Sequence, residues 1–173
     1  MTHPRHLPAL LAAVAMLSAC ATMSADQAGG HQSALVDAAG KEIGQVTIVR
    51  SDGETKANIE AQLPAGVHGV HLHTTGLCAG PKFESAGPHW NPTQRMHGLE
   101  NPQGPHRGDL PNIVAAPSGR LSTTINIPVD LEALSDADGT AFVVHSNADD
   151  YRTDPSGASG ERIACAVLAP PRG

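Results

Sequence analysis

Apolar and polar residues alternate along this chain in short runs, and the period of the alternation is two. The runs fall at 34–37, 43–50, 57–63, 67–73, 113–116, 120–127, 141–145 and 163–168. Side chains of an extended strand point to opposite faces in turn, so such runs predict strands with one buried face. Turn-forming pairs separate them, among them Ala39-Gly40, Asp52-Gly53, Ser118-Gly119 and Asp138-Gly139, with Pro64-Ala65-Gly66 between the third and fourth. Eight short strands at hairpin spacing predict an all-β antiparallel sandwich or barrel. Leu131 to Leu134 reads as a single helical turn, limited by Pro128 and the acidic residues Asp136 and Asp138, and no other segment reads as a helix.

Two stretches have no strand pattern. Residues 74–111 are rich in Gly, Pro and His, and 146–160 follow the seventh run. A loop as long as the first, inside a compact domain, is functional or disordered, and its chemistry decides for function. The fold is expected to begin near Ser33, after a small, polar, Gly-containing tether over 20–32.

Composition narrows the picture. At 173 residues the chain suits one domain, and with two Phe, one Trp and one Tyr its core must be built from Val, Ile, Leu and Ala. The formal net charge is -6, no Lys/Arg cluster exists, and nucleic acid is therefore not an expected partner. His3, Arg5 and His6 precede an apolar run over 7–17, too short to span a bilayer, which reads as a secretory signal over 1–19. Its end, Leu17-Ser18-Ala19-Cys20, resembles the bacterial lipoprotein cleavage box and would leave a lipidated Cys20 tethering the chain to a membrane in the periplasm or cell envelope. Ordinary cleavage after Ala21 or Ala25 is the alternative, releasing a soluble protein. With Cys20 so assigned, Cys78 and Cys165 remain, and a lone pair of thiols in an exported chain is expected to form a disulfide.

The histidines carry the chemistry. His71 and His73 lie two apart on a predicted strand and so point the same way. His97, His106 and Asp109 supply two imidazoles and a carboxylate, a zinc-like set. His89 lies between the two groups, and the arrangement that uses every ligand, with His145, places one metal on each side of its ring: a four-nitrogen site suited to copper and a three-nitrogen, one-oxygen site suited to zinc. His68, three residues before His71, reads as a structural residue hydrogen-bonded to the backbone of a nearby loop; His3, His6 and His31 fall in leader and tether and carry no site.

With Gly66-Val67-His68-Gly69-Val70-His71-Leu72-His73, Gly87-Pro88-His89-Trp90-Asn91-Pro92, His97-Gly98, Gly104-Pro105-His106-Arg107-Gly108-Asp109, Val144-His145 and Gly160-Glu161-Arg162-Ile163-Ala164-Cys165, the chain resembles copper/zinc superoxide dismutase over almost all of the domain at 33–173. It looks closest to the bacterial exported branch. The resemblance implies a Greek-key β-sandwich or barrel with long functional loops, copper held by His71, His73, His89 and His145, and zinc held by His89, His97, His106 and Asp109. It further implies a Cys78–Cys165 disulfide, Arg162 as the residue that guides the superoxide anion, and Asp149 as a carboxylate linking a copper histidine to a zinc histidine. The implied reaction converts two superoxide anions and two protons to O2 and hydrogen peroxide as copper alternates between oxidation states, with His89 as ligand and proton carrier. Few other cations accompany Arg162, Arg152 being one, so the field that steers the anion is expected to rest on Arg162. A non-catalytic copper or zinc buffering protein is the rival reading, against which His145 and Arg162 argue, since storage needs neither. Oligomeric state, including a homodimer, is left open.

Overall fold

The structure is a computed structural model that describes Met1 and residues 30–172. The leader from residue 2, Cys20 and the tether up to residue 29 lie outside the described residues. The described residues form nine strands: β1 (His31–Asp37), β2 (Glu42–Ser51), β3 (Glu54–Gln62), β4 (Gly66–His68), β5 (Val70–His73), β6 (Ile113–Ala115), β7 (Arg120–Ile127), β8 (Thr140–His145) and β9 (Arg162–Ala169). Seven form one antiparallel sheet in the order β5-β8-β9-β1-β2-β3-β7, and β4 pairs with β6 in a separate two-stranded ribbon. The neighbours β5–β8 and β3–β7 are distant in sequence, so the chain crosses over as a Greek key does.

The all-β architecture agrees with the alternation, with three differences of detail. The run at 67–73 is two strands, because Gly69 donates its N–H to the Asn147 carbonyl and accepts from the His145 N–H, so its backbone serves the loop after β8. The chain switches sheets there. The first strand starts at His31, two residues before the expected Ser33, and His31 is an exposed strand residue rather than part of the tether. A three-residue 3-10 turn, Glu84–Ala86, lies within the long loop, while the expected helical turn is a 3-10 turn at Leu131–Ser135.

The core forms where the alternation is cleanest. Val46 and Ile48 of β2 pair in register with Ile59 and Ala57 of β3, and all four are buried. Every residue of β5 and β8 is buried, because their outer faces are covered by the long loops. Phe142 and Val144 of β8 point into the main core, while Ala141 and Val143 pack outside it with Phe83 and Cys165. In β5 the same alternation sends Val70 and Leu72 inward and leaves His71 and His73 beneath the loops. The Cys78–Cys165 disulfide joins the long loop to β9, closing a sequence separation of 87.

Candidate metal centre

Loop 74–111 has few strand contacts of its own, so its position depends on how it is pinned to β5. Leu72 donates its N–H to the Gly108 carbonyl and accepts from the Trp90 N–H, both at 2.8 Å, and Gly108 N–H reaches the Trp90 carbonyl at 2.8 Å. Only glycine fits at 108, since a Cβ there would lie 2.5 Å from the Leu72 carbonyl oxygen. This lattice sets His89 opposite His73 and Asp109 opposite His71. His145, at the end of β8, stands across the ladder from Arg162.

The seven residues singled out as ligands meet under the loops, and all are buried. His71, His73, His89 and His145 each offer a ligand atom within 4.8 Å of the others. Their atoms Nδ1 of His71 and Nε2 of His73, His89 and His145 are buried without a hydrogen-bond partner. Four unpartnered nitrogens converging in a dry pocket are unfavourable unless an ion satisfies them. The opposite nitrogen of three of these rings is fixed: His71 Nε2 to Asp149 Oδ2 at 2.7 Å, His73 Nδ1 to the Gly87 carbonyl at 2.8 Å, and His145 Nδ1 to the Gly160 carbonyl at 3.2 Å. Such contacts set the tautomer and aim the free nitrogen inward.

On the other side of His89, three ring nitrogens surround a single oxygen. Asp109 Oδ1 lies 3.1 Å from His89 Nδ1, 3.0 Å from His97 Nδ1 and 3.3 Å from His106 Nδ1. Two ligands about 2.0 Å from a tetrahedral zinc ion are themselves about 3.3 Å apart, so these spacings are those of ligands around one ion. Asp109 Oδ2 is occupied by the backbone N–H groups of Gly98 and His106, both at 2.9 Å, which leaves Oδ1 for the three rings. The donor sets therefore fit copper on one side and zinc on the other.

Asp149 connects the sides, with Oδ2 on His71 Nε2 and Oδ1 on His97 Nε2 at 3.1 Å. It is held by residues that sequence reasoning missed. Asn112 accepts from the Asp149 N–H and donates Nδ2 to its carbonyl, both at 2.9 Å, while the Tyr151 N–H reaches Asp149 Oδ1 and the Tyr151 hydroxyl accepts the Asn112 N–H. The signal in sequence is slight: Asn112 lies three residues after Asp109, and Tyr151 stands in the unpatterned stretch 146–160. His68 behaves as read, its ring nitrogens facing the His145 and Pro64 carbonyls at 2.8 and 2.9 Å.

Burial sets the charge of the rings. It pushes His73 well below the ordinary imidazole range, with neighbouring His89 adding to the effect, and it lowers His89 to about 4 and His145 to about 3. Burial lowers His71 as well, partly offset by Asp149. Neutral rings are the ligand form. His97 goes the other way: burial would lower it, but its hydrogen bonds to Asp109 and Asp149 prevail and raise it to about 9. Burial would raise the two carboxyls, yet bonds from His89 and His97 to Asp109, and from His71 and His97 to Asp149, hold both below the usual carboxylate range.

Arg162 is half-buried, with Nη1 on the Phe83 carbonyl and Nη2 on the Gly87 carbonyl, both at 2.7 Å. It lines an open cavity of about 980 Å³ together with Lys82, Glu84 and Glu161. Lys82 is a second cation on this face that sequence reasoning did not single out. Arg152 is instead engaged by Glu100 at 2.6 Å.

The family model for copper/zinc superoxide dismutase matches residues 42–168. The chain belongs to the copper/zinc superoxide dismutase family. It is 41% identical over 138 residues to the superoxide dismutase [Cu-Zn] of Caulobacter vibrioides, covering 75% of this chain and 79% of that protein. Among solved structures it is similar to a superoxide-dismutase-like protein from Bacillus subtilis, with TM-score 0.77 and 40% identity over 80% of this chain and 98% of that one. The copper/zinc superoxide dismutase from Brucella abortus matches with TM-score 0.69 and 31% identity over 80% of this chain and 99% of that one. Copper and zinc are the family's metals, and superoxide dismutation, an oxidoreductase activity, is its function.

Proposed function

We propose that this chain dismutates superoxide through copper held by His71, His73, His89 and His145, beside zinc held by His89, His97, His106 and Asp109. The observation that carries the assignment is His89, whose Nδ1 lies 3.1 Å from Asp109 Oδ1 while its Nε2 is buried and unpartnered among the other three rings. When bound, copper supplies the electron acceptor and donor that turn two superoxide anions and two protons into O2 and hydrogen peroxide, and zinc supplies a fixed positive charge.

The chain's own residues do the rest. Arg162 offsets the protein's net negative charge near the site and draws in the small anion. Its hold on the Phe83 and Gly87 carbonyls keeps the guanidinium in one place. His89 takes up a proton at Nε2 and gives it up to the forming peroxide, while its Nδ1 side stays fixed next to Asp109. Burial leaves His71 and His73 without solvent contact, while His89, the most exposed of the four copper-side rings, is the one placed to exchange a proton with solvent.

A superoxide assay on protein loaded with both metals tests this reading. His145→Ala is expected to abolish turnover and spare zinc binding; two metals bound by the parent without turnover would instead support a buffering protein. We further propose that residues 1–19 are a lipoprotein-type signal and that Cys20 is lipidated, placing the domain in the periplasm or cell envelope behind a tether over 20–32. Support comes from the leader's composition and from the Cys78–Cys165 disulfide, which suits an oxidising compartment. Palmitate labelling that survives Cys20→Ser would reject it.

A further inference from the structure

The zinc side of the site has an opening of its own. A groove of about 470 Å³ reaches down to His89 and His106, and Asp136 and Asp138 stand exposed among its walls. Among the described residues no Lys or Arg lines it. The cavity next to Arg162 shares none of these residues. Of the four groups on the zinc side, His97 is 0% and Asp109 1% exposed, while the two that line the groove, His89 at 7% and His106 at 6%, keep the contact with solvent. His106 Nδ1 is itself buried and without a hydrogen-bond partner.

We infer that this groove is the entry route of the zinc-side cation, with Asp136 and Asp138 as the residues that draw a divalent ion in toward His106 and His89. The inference rests on the proposed zinc ligands. A divalent ion gains twice as much as a monovalent one from each carboxylate it passes, and a cleft lined by one sign of charge raises the local concentration of the opposite ion. The anion and the cation would then use separate openings: the cavity at Arg162 mixes Arg162 and Lys82 with Asp37, Glu84 and Glu161, whereas the groove at His106 carries carboxylates without a Lys or Arg among the described residues. In the cavity at Arg162 the carboxylates are offset by Arg162 and Lys82, while in the groove Asp136 and Asp138 stand unopposed and would repel superoxide from the opening that admits zinc.

Cobalt(II) uptake by the disulfide-intact, metal-stripped protein, followed by the visible absorbance of the four-coordinate ion, tests the route without any measurement of activity. Asp136→Asn with Asp138→Asn removes both charges and keeps the side-chain oxygen of residue 136 that accepts the residue 138 N–H at 3.1 Å. The double variant is expected to take up cobalt about 3- to 10-fold more slowly at low ionic strength, the difference closing in high salt. Glu84→Gln with Glu161→Gln, an equal change of net charge on the opposite cavity, is expected to leave the rate unchanged. Asp138→Asn alone, which removes no side-chain hydrogen bond, serves if the double variant is unstable. Parental uptake in the Asp variants, or equal slowing in the Glu control, overturns the route. If the parent never gives the spectrum of a four-coordinate ion, the zinc ligand assignment fails instead.

Discussion

Arg162 and His73 donate to the same acceptor, the carbonyl oxygen of Gly87, at 2.7 and 2.8 Å. The residue proposed to guide the anion and a proposed copper ligand are thus located by one atom of the long loop. Arg162→Ala is expected to lower kcat/KM about tenfold and to flatten its dependence on ionic strength, because the lost charge is the one nearest the site. Arg162→Lys keeps the charge and loses the two-pronged hold on Phe83 and Gly87, so it should recover only part of the rate. Pulse-radiolysis rates across a salt series check both.

Gly87 lies nine residues after Cys78 in the same loop, which is covalently joined to β9. Opening that bond frees a closed loop whose constraint is worth about 4 to 5 kcal/mol in the chain-entropy picture. In a domain of this size that corresponds to a fall in Tm of roughly 15 °C. Calorimetry of Cys78→Ser with Cys165→Ser checks the shift, and a fall in kcat/KM at temperatures where the variant stays folded would show Arg162 and His73 losing their common anchor.

The ligands were legible in the sequence because metal chemistry admits few residue types and because the spacing of His71 and His73 is the spacing of a strand face. Strands β2, β3 and β7 were legible for a similar reason, since one face of each meets the core and the other meets water. The break at Gly69 was not, because it comes from hydrogen bonds to residues 145 and 147, far along the chain. Gly87 was illegible for another reason: it acts through a backbone carbonyl, which every residue carries. Asn112 and Tyr151 reach Asp149 from separate loops and announce nothing in isolation. Lys82 joins Arg162 only because the disulfide loop folds over the start of β9.

Asp149 contacts both halves of the site, so its loss should be felt on both. Asp149→Ala is expected to weaken zinc binding about 10- to 100-fold, the usual effect of removing a carboxylate that orients a ligating imidazole. His71 also loses its partner at 2.7 Å, so the copper(II) electron paramagnetic resonance spectrum should change in the same variant. Asn112→Ala, one residue further out, should produce the same pair of changes at smaller size, since it removes the two bonds that clamp the Asp149 backbone. Chelator competition for zinc and the copper spectrum together separate this from a general loss of folding, which would abolish both signals.

The metal-stripped protein should be most stable near pH 6.5, for reasons that lie on opposite sides of that value. His97 has a folded pKa of about 9 against an ordinary 6.5, so the folded state keeps a proton that the unfolded chain releases; its contribution is complete below pH 6.5 and is lost as pH rises through 9. His89 and His145, lowered to about 4 and 3, stay neutral in the fold while the unfolded chain takes up protons below pH 6.5, so stability falls as pH falls. Asp109 and Asp149, both depressed, add to the loss on the acid side as the unfolded carboxyls begin to protonate near pH 4. Denaturation midpoints measured after chelation from pH 4 to 9.5 should trace this peak. Zinc competes with the His97 proton for Nδ1, so zinc binding between pH 6.5 and 9 should release about one proton per ion, and the release should disappear as the pH passes 9. Calorimetric titration in buffers of different ionisation enthalpy measures it directly, and binding without proton release at pH 7.5 would place the zinc ion elsewhere than at His97.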